Sequence, residues 1–187
     1  MVKHIIQIGD KRLLKKSSPI QLDKITETQN LELYEDLLDT CDYYENEAAG
    51  LSAVQIGTLK RVFAVRRVDL EDETDDIQWK IMINHNITEK SDEISTEWEG
   101  CMSINKAEGK LFGPVERPAR INVEYYNKSG DKENLEASGF FSHLIQHEID
   151  HLDGILFLKY VEKPENIWQE KKLDKYLKKH RKFPIIK

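Results

Sequence analysis

The chain reads as an α+β domain with antiparallel strands, and three features of the sequence carry that reading. Strand-like stretches rich in Val, Ile and aromatic residues (RVFAVRRVDL, WKIMINHNI and ARINVEYY) follow one another without helical segments between them. An amphipathic helical stretch precedes this run, and a second helical stretch, unusually apolar, follows it. Strands gathered in one block and helices in others pack as layers with the helices segregated, not as a parallel alternating fold. At 187 residues and 39% hydrophobic, the chain can bury a core as a single domain spanning 1–187.

The N-terminal arm, GDKRLLKKSSPIQLD, is basic and irregular, and Pro19 discourages helix there. In LELYEDLLDTCDYYENEAAG, Leu33, Leu37, Cys41 and Tyr44 recur at three- and four-residue steps, which predicts a helix ending near Gly50. On that face Cys41 reads as a small buried hydrophobe. RVFAVRRVDL and WKIMINHNI flank the acidic run EDETDD, which reads as a solvated loop between the two strands of a hairpin. ARINVEYYNKSGDKENLEA then gives alternating Ile121, Val123 and Tyr125, an SGD turn and a further short strand. ASGFFSHLIQHEIDHLDG predicts a helix capped by Ser138, with Phe141, Leu144, Ile145 and Leu152 for burial and a stop at Gly154. After the short apolar segment ILFLKYV, Pro164 opens a last, lysine-rich helix over about 164–182.

Composition narrows the function. A net charge of −6 gives no globally basic surface for gripping DNA, and no apolar run approaches the length of a membrane span. The start, MVKHIIQIGDKRLL, lacks the apolar core and small-residue cleavage site of a secretion signal, so the expected location is the cytoplasm. There Cys41 and Cys101 are expected as free thiols.

The segment QHEIDHLDG carries the chemistry. His147 and His151 stand four residues apart, so on a helix their Cβ atoms lie about 5–6 Å apart and both rings can reach one divalent ion. Glu148 leaves the same turn and can reach a water in the ion's open position. A tetrahedral site of this kind needs a third protein ligand. A histidine six residues after the second is excluded, because Phe157 stands there. Glu165 or Glu170, in the C-terminal helix, could supply it as in some metalloproteases, and so could the thiolate of Cys101 in EGCMS, a strong ligand.

Three separated segments resemble the motifs of the peptide deformylase family, in the family's order: AAGLSAVQ at 48–55, EGCMS at 99–103 and QHEIDHLDG at 146–154. Weaker similarity covers the N-terminal arm and GPVERPARI, to about Tyr160. The resemblance implies antiparallel β-sheets around a central metal-binding helix, with helices at both ends of the chain. It implies a metal-dependent hydrolase that removes the formyl group from N-formylmethionyl nascent peptides and releases formate. In that reading Cys101, His147 and His151 hold one divalent ion, ferrous iron first, with zinc, nickel or cobalt also able to occupy the site. Glu148 shuttles the proton, while Gln55 and the backbone N–H of Met102 face the oxyanion. Gly50, Leu51 and Gly100 line the substrate, Gly50 because glycine admits close backbone approach. Asp150 and Asp153 are adjacent to the ligands and read as solvated or salt-bridged acids or as acceptors behind a histidine; His85 and His143 read as structural.

The chain departs from the family pattern at several places. Ala48 and Ser52 replace a usual glycine and alanine, and Met102 a usual leucine. Phe112 stands near where many members carry a peptide-holding arginine, which opens an alternative reading as a non-catalytic or altered-substrate relative. The crowded cations Lys171, Lys172, Lys175, Lys178, Lys179, Arg181 and Lys182 admit two readings: a helix that docks on ribosomal RNA, or one whose charges are simply solvated.

Overall fold

The computed structural model describes residues 1–68, 78–106 and 109–187. The acidic run EDETDD lies outside them. A five-stranded antiparallel sheet, in the order β1-β2-β3-β6-β7, is built from β1 (Gly50–Ser52), β2 (Val62–Arg66), β3 (Trp79–Lys90), β6 (Arg120–Tyr126) and β7 (Lys132–Ser138). A second antiparallel sheet, β4-β5-β8, is formed by β4 (Ile94–Lys106), β5 (Gly109–Pro118) and β8 (Trp168–Gln169). The three α-helices are α1 (Thr28–Tyr43), α2 (Gly139–Leu152) and α3 (Glu170–His180).

The expected hairpin is present, with β2 and β3 antiparallel through Val62↔Ile83 to Arg66↔Trp79. β6 and β7 pair from Tyr126↔Lys132 to Arg120↔Ser138 around the SGD turn, where Asn127 accepts from the N–H groups of Ser129 and Asp131 at 2.9 and 3.0 Å. Alternation along β6 buries Ile121, Val123 and Tyr125 as expected, against Phe141, Leu144, Ile145, Ile149 and Leu152 of α2. α1 buries Leu33, Tyr34, Leu37 and Cys41 against β1, β2 and β3. With Leu37 fully buried, truncation to Ala is expected to cost about 2–5 kcal/mol.

Three boundaries differ from the sequence expectation. α1 stops at Tyr43, so Gly50 does not end a helix but opens the edge strand β1. Pro164 begins only a single 3-10 turn (Pro164–Asn166); the C-terminal helix starts at Glu170, because Trp168 and Gln169 are drawn into strand pairing with Phe112 and Leu111. EGCMS, for which the sequence announced no strand, lies in the middle of the long strand β4. The sequence ISTEWEGCMSINK shows too little β-branched alternation to announce that strand.

The N-terminal arm is irregular, as expected, yet firmly packed. Its Ile6 N–H donates to the Gln55 carbonyl at 2.8 Å and its Ile8 N–H to that of Ser103 at 2.8 Å, so the arm ties the turn after β1 to β4. Gln7 adds a bond from Nε2 to the Met102 carbonyl at 3.0 Å. Farther on, the Ser17 N–H satisfies the Leu152 carbonyl at the end of α2, at 2.8 Å. Gly154 follows that helix end with φ +74°, and a Cβ there would lie 2.7 Å from the Leu14 carbonyl oxygen. At the other end of α2, Ser138 occupies the capping position but its side chain makes no capping bond.

Candidate metal centre and cleft

α2 is buried on nearly every face because it lies between the two sheets, and this brings its histidines up against β4. Ligand atoms of Cys101, His147 and His151 all lie within 4.8 Å of one another. The Cys101 Sγ is 3.2 Å from His151 Nε2, and the two imidazoles meet edge to face at 4.9 Å between centroids. Among the described residues this is the one Cys/His/carboxylate group that could hold an ion. Glu170, the alternative third ligand, is elsewhere: its carboxylate accepts the Lys110 N–H at 3.2 Å and lies 3.8 Å from the Lys110 Nζ. Glu165 sits in the exposed turn before β8.

His147 is oriented by Glu99, whose Oε2 accepts from Nδ1 at 2.8 Å and leaves Nε2 for an ion. Glu99 is itself gripped by Arg117, at 2.6 Å from Nε and 3.0 Å from Nη2, and its other oxygen lies 3.4 Å from His143 Nδ1. Burial alone would push the Glu99 carboxyl up, but bonds from Arg117, His143 and His147 outweigh it and hold the group well below the usual carboxylate range. Neither residue stood out in the sequence; the signal available was Glu99 two positions before the cysteine on the same strand face. Asp150 and Asp153 form salt bridges, the fate the sequence favoured over a role behind a histidine, to Arg117 Nη1 at 2.7 Å and to Arg61 Nη1 at 2.7 Å. His85 is buried beside Arg61, with Nε2 2.7 Å from Nη2, and His143 bonds Ser95 Oγ at 2.9 Å.

Glu148 is buried, and burial pushes its carboxyl up to about 7. The Ser52 hydroxyl lies 2.6 Å from its Oε2, so the departure at position 52 places a donor on the carboxylate. Gln55 is pinned by the Ser52 N–H on its carbonyl oxygen at 2.8 Å, while its Nε2 faces Ser103 Oγ at 3.2 Å and Cys101 Sγ at 3.7 Å. Around Met102 the β4–β5 pairing lapses, with a register shift between Gly100 and Asn105.

These groups open onto a cleft of about 220 Å³ lined by Gly50, Gln55, Cys101, Met102, His147 and Glu148 near the cluster, and by Trp98, Lys110, Phe112 and Phe140 farther along. Gly50 lines it, and its lack of a side chain makes room for Glu148: a Cβ there would lie 2.6 Å from Oε1. Gly100 also lines the cleft and gives its space to the Phe112 ring, 2.5 Å from where its Cβ would be. Leu51 is different. Its side chain is wholly buried in the core with α1 and β2, so only its backbone on the edge strand remains available to a ligand. Phe112 stands in the cleft wall, and Lys110, two residues away on the same strand, supplies a cation there.

The polypeptide deformylase family matches the chain over residues 2–166. The chain belongs to the peptide deformylase family. The peptide deformylase of Rhizobium meliloti is 35% identical over 162 residues, covering 87% of this chain and 86% of that protein. The crystal structure of the Ehrlichia chaffeensis peptide deformylase in complex with actinonin superposes with a TM-score of 0.75 at 31% identity, over 97% of this chain and 99% of that one. That of the class I type b peptide deformylase from Acinetobacter baumannii with Met-Ala-Ser bound gives 0.73 at 27% identity, over 86% and 99%. The α+β architecture is that of the deformylases, and the chain is accordingly a metal-dependent hydrolase that removes N-formyl groups from nascent peptides.

Proposed function

We propose that deformylation proceeds at the Cys101, His147 and His151 cluster, with ferrous iron as the ion and zinc, nickel or cobalt able to substitute. The observation that carries this reading is the convergence of one thiol and two imidazoles, from a strand and a helix, within 4.8 Å beside a buried glutamate. The donor set fits such an ion: thiolate and imidazole suit borderline-soft divalent metals, and Glu99 already fixes one ring for ligation. When bound, the ion supplies Lewis acidity, polarising the formyl carbonyl and acidifying water.

The protein's own groups do the rest. Glu148 accepts the proton of the attacking water and delivers it to the departing nitrogen, which must leave as an amine because an amide anion is too basic. Its burial keeps the carboxylate poised to exchange that proton, and Gly50 leaves it room. The Gln55 Nε2 and the Met102 N–H donate to the oxygen of the former formyl group as it gains charge. The Gln55 carboxamide is held for this by Ser52, and the lapse in the β4–β5 ladder leaves the Met102 region free of regular pairing with β5. The cleft runs between β1 and β4, and the open edge of β1, including the Leu51 backbone, suits an extended peptide adding as a further strand. Gly100 keeps the opposite wall close.

The whole 1–187 chain acts as one unit in the cytoplasm, on formylated nascent peptides. No helix among the described residues is long and apolar enough to cross a membrane. The exposed lysines of α3 would meet the ribosome's phosphate backbone, a contact expected to weaken steeply with salt. The central test measures bound metal in protein prepared without oxygen, together with formate release from a formyl-methionyl tripeptide, for the native chain and Glu148→Ala. The expected result is metal in both and turnover only in the native protein. A metal-loaded native protein inert towards formyl-methionyl peptides overturns the reading.

A further inference from the structure

We infer that the C-terminal segment, residues 168–187, is a positioning device for the peptide-binding wall of the cleft, with Phe183 as its key residue. The inference rests on the cleft being the deformylation site proposed above. The family model matches residues 2–166, and this segment follows the stretch it covers. Yet three of the four wall residues farther along the cleft, Trp98, Lys110 and Phe112, are held by it.

Trp98 is half-buried, lines the cleft, and stacks on Phe183 with centroids 5.4 Å apart and planes inclined by only 8°. Phe112 lies on β5 opposite Trp168 of β8. Lys110 is flanked by carboxylates on both sides, Glu170 at 3.8 Å and Glu47 at 3.7 Å from Nζ, and Glu170 also takes its backbone N–H. The segment is itself anchored. Leu173 and Pro184 are buried, Trp168 and Tyr176 meet edge to face at 5.1 Å, and the Lys187 N–H donates to the Asn166 side chain at 3.0 Å. β8 and the start of α3 therefore grip β5, and the tail beyond α3 reaches back to Trp98 on β4.

Aromatic side chains hold a surface shape only when their rotamers are fixed. The indole of Trp98 is bounded on one side by Phe183, and removing that ring frees it to leave the wall. None of the three wall residues belongs to the metal cluster or to the proton shuttle, so the step affected is capture of the peptide and not its hydrolysis.

The test compares native protein, Phe183→Ala and Phe183→Tyr. Phe183 is 45% exposed, so its truncation leaves the core intact. The expected result for Phe183→Ala is a KM for formyl-Met-Ala-Ser raised about three- to tenfold, the factor lost with one aromatic stack, at native kcat and metal content. Phe183→Tyr, which keeps the ring, should restore native KM. Affinity for the unformylated peptide Met-Ala-Ser should weaken in parallel, by a similar factor. A KM and a Met-Ala-Ser affinity unchanged in Phe183→Ala overturn the inference, as does a loss of kcat together with metal. If the native protein releases no formate, the functional reading falls, and Met-Ala-Ser affinity in the native and Ala proteins alone decides whether Phe183 shapes the wall.

Discussion

Gly50→Ala is the most exacting test of how Glu148 is housed. A Cβ at position 50 would sit 2.6 Å from Glu148 Oε1 and 2.9 Å from its Cδ and Cγ, where ordinary contact begins at 3.4 Å. The carboxylate must therefore retreat by about 0.8 Å, because three atoms of one side chain are struck at once. A displacement near 1 Å of a proton-transfer group is expected to lower kcat about 100-fold, or about 2.7 kcal/mol of transition-state stabilisation. The ceiling is the loss on removing the carboxylate altogether, about 10²- to 10⁴-fold. Steady-state formate release gives kcat, and metal analysis should show a full complement, since the atoms nearest the added Cβ all belong to Glu148 and not to a ligand. Adding Glu148→Ala to the variant should cost little more. Native kcat in Gly50→Ala would refute the reasoning, as would two losses that simply add.

Cys101→Ala should leave protein with strongly reduced bound metal after dialysis, whereas Glu170→Gln should retain the native amount, because Glu170 faces Lys110 and not the histidines. Glu99→Gln weakens the buried partner of Arg117 and the acceptor for His147: unfolding in urea should show a loss of about 3 kcal/mol, and metal affinity a fall of about 10- to 100-fold. Equal metal affinity there would show that the Glu99 contact does not orient the ring. Glu133, bonded by Tyr125, Lys80 and Asn127, has its carboxyl lowered from 4.5 to about 2. The folded state thus binds that proton more weakly than the unfolded chain, and the stability it contributes, present above pH 4.5, is lost as pH falls towards about 2. The gap in urea midpoint between native protein and Glu133→Gln should be widest near neutral pH and narrow across that window; a gap independent of pH would contradict the assignment.

Much of the architecture is written locally. The periodicity of Leu33, Leu37 and Cys41 marks α1, and the alternation of Ile121, Val123 and Tyr125 marks β6. The four-residue spacing of His147 and His151 fixes their common face before any tertiary contact exists. These are short-range patterns, and short-range geometry is what a linear sequence states directly. β4 escaped because its polar, charged and glycine-containing sequence takes its strand character from the partner β5. α3 began later than Pro164 suggested because pairing of Trp168 with Phe112 outcompeted helix.

The sequence by itself determined the helix that carries two imidazoles and a glutamate, and the three motifs that mark the family. Only the tertiary structure decided which of Cys101, Glu165 and Glu170 meets the imidazoles. That choice depends on β4 being hung beside α2 through Glu99, Arg117 and Asp150, a buried charge network joining residues up to 51 positions apart. Such a network forms only when burial removes water from all its members together, so no single segment of the chain could announce it.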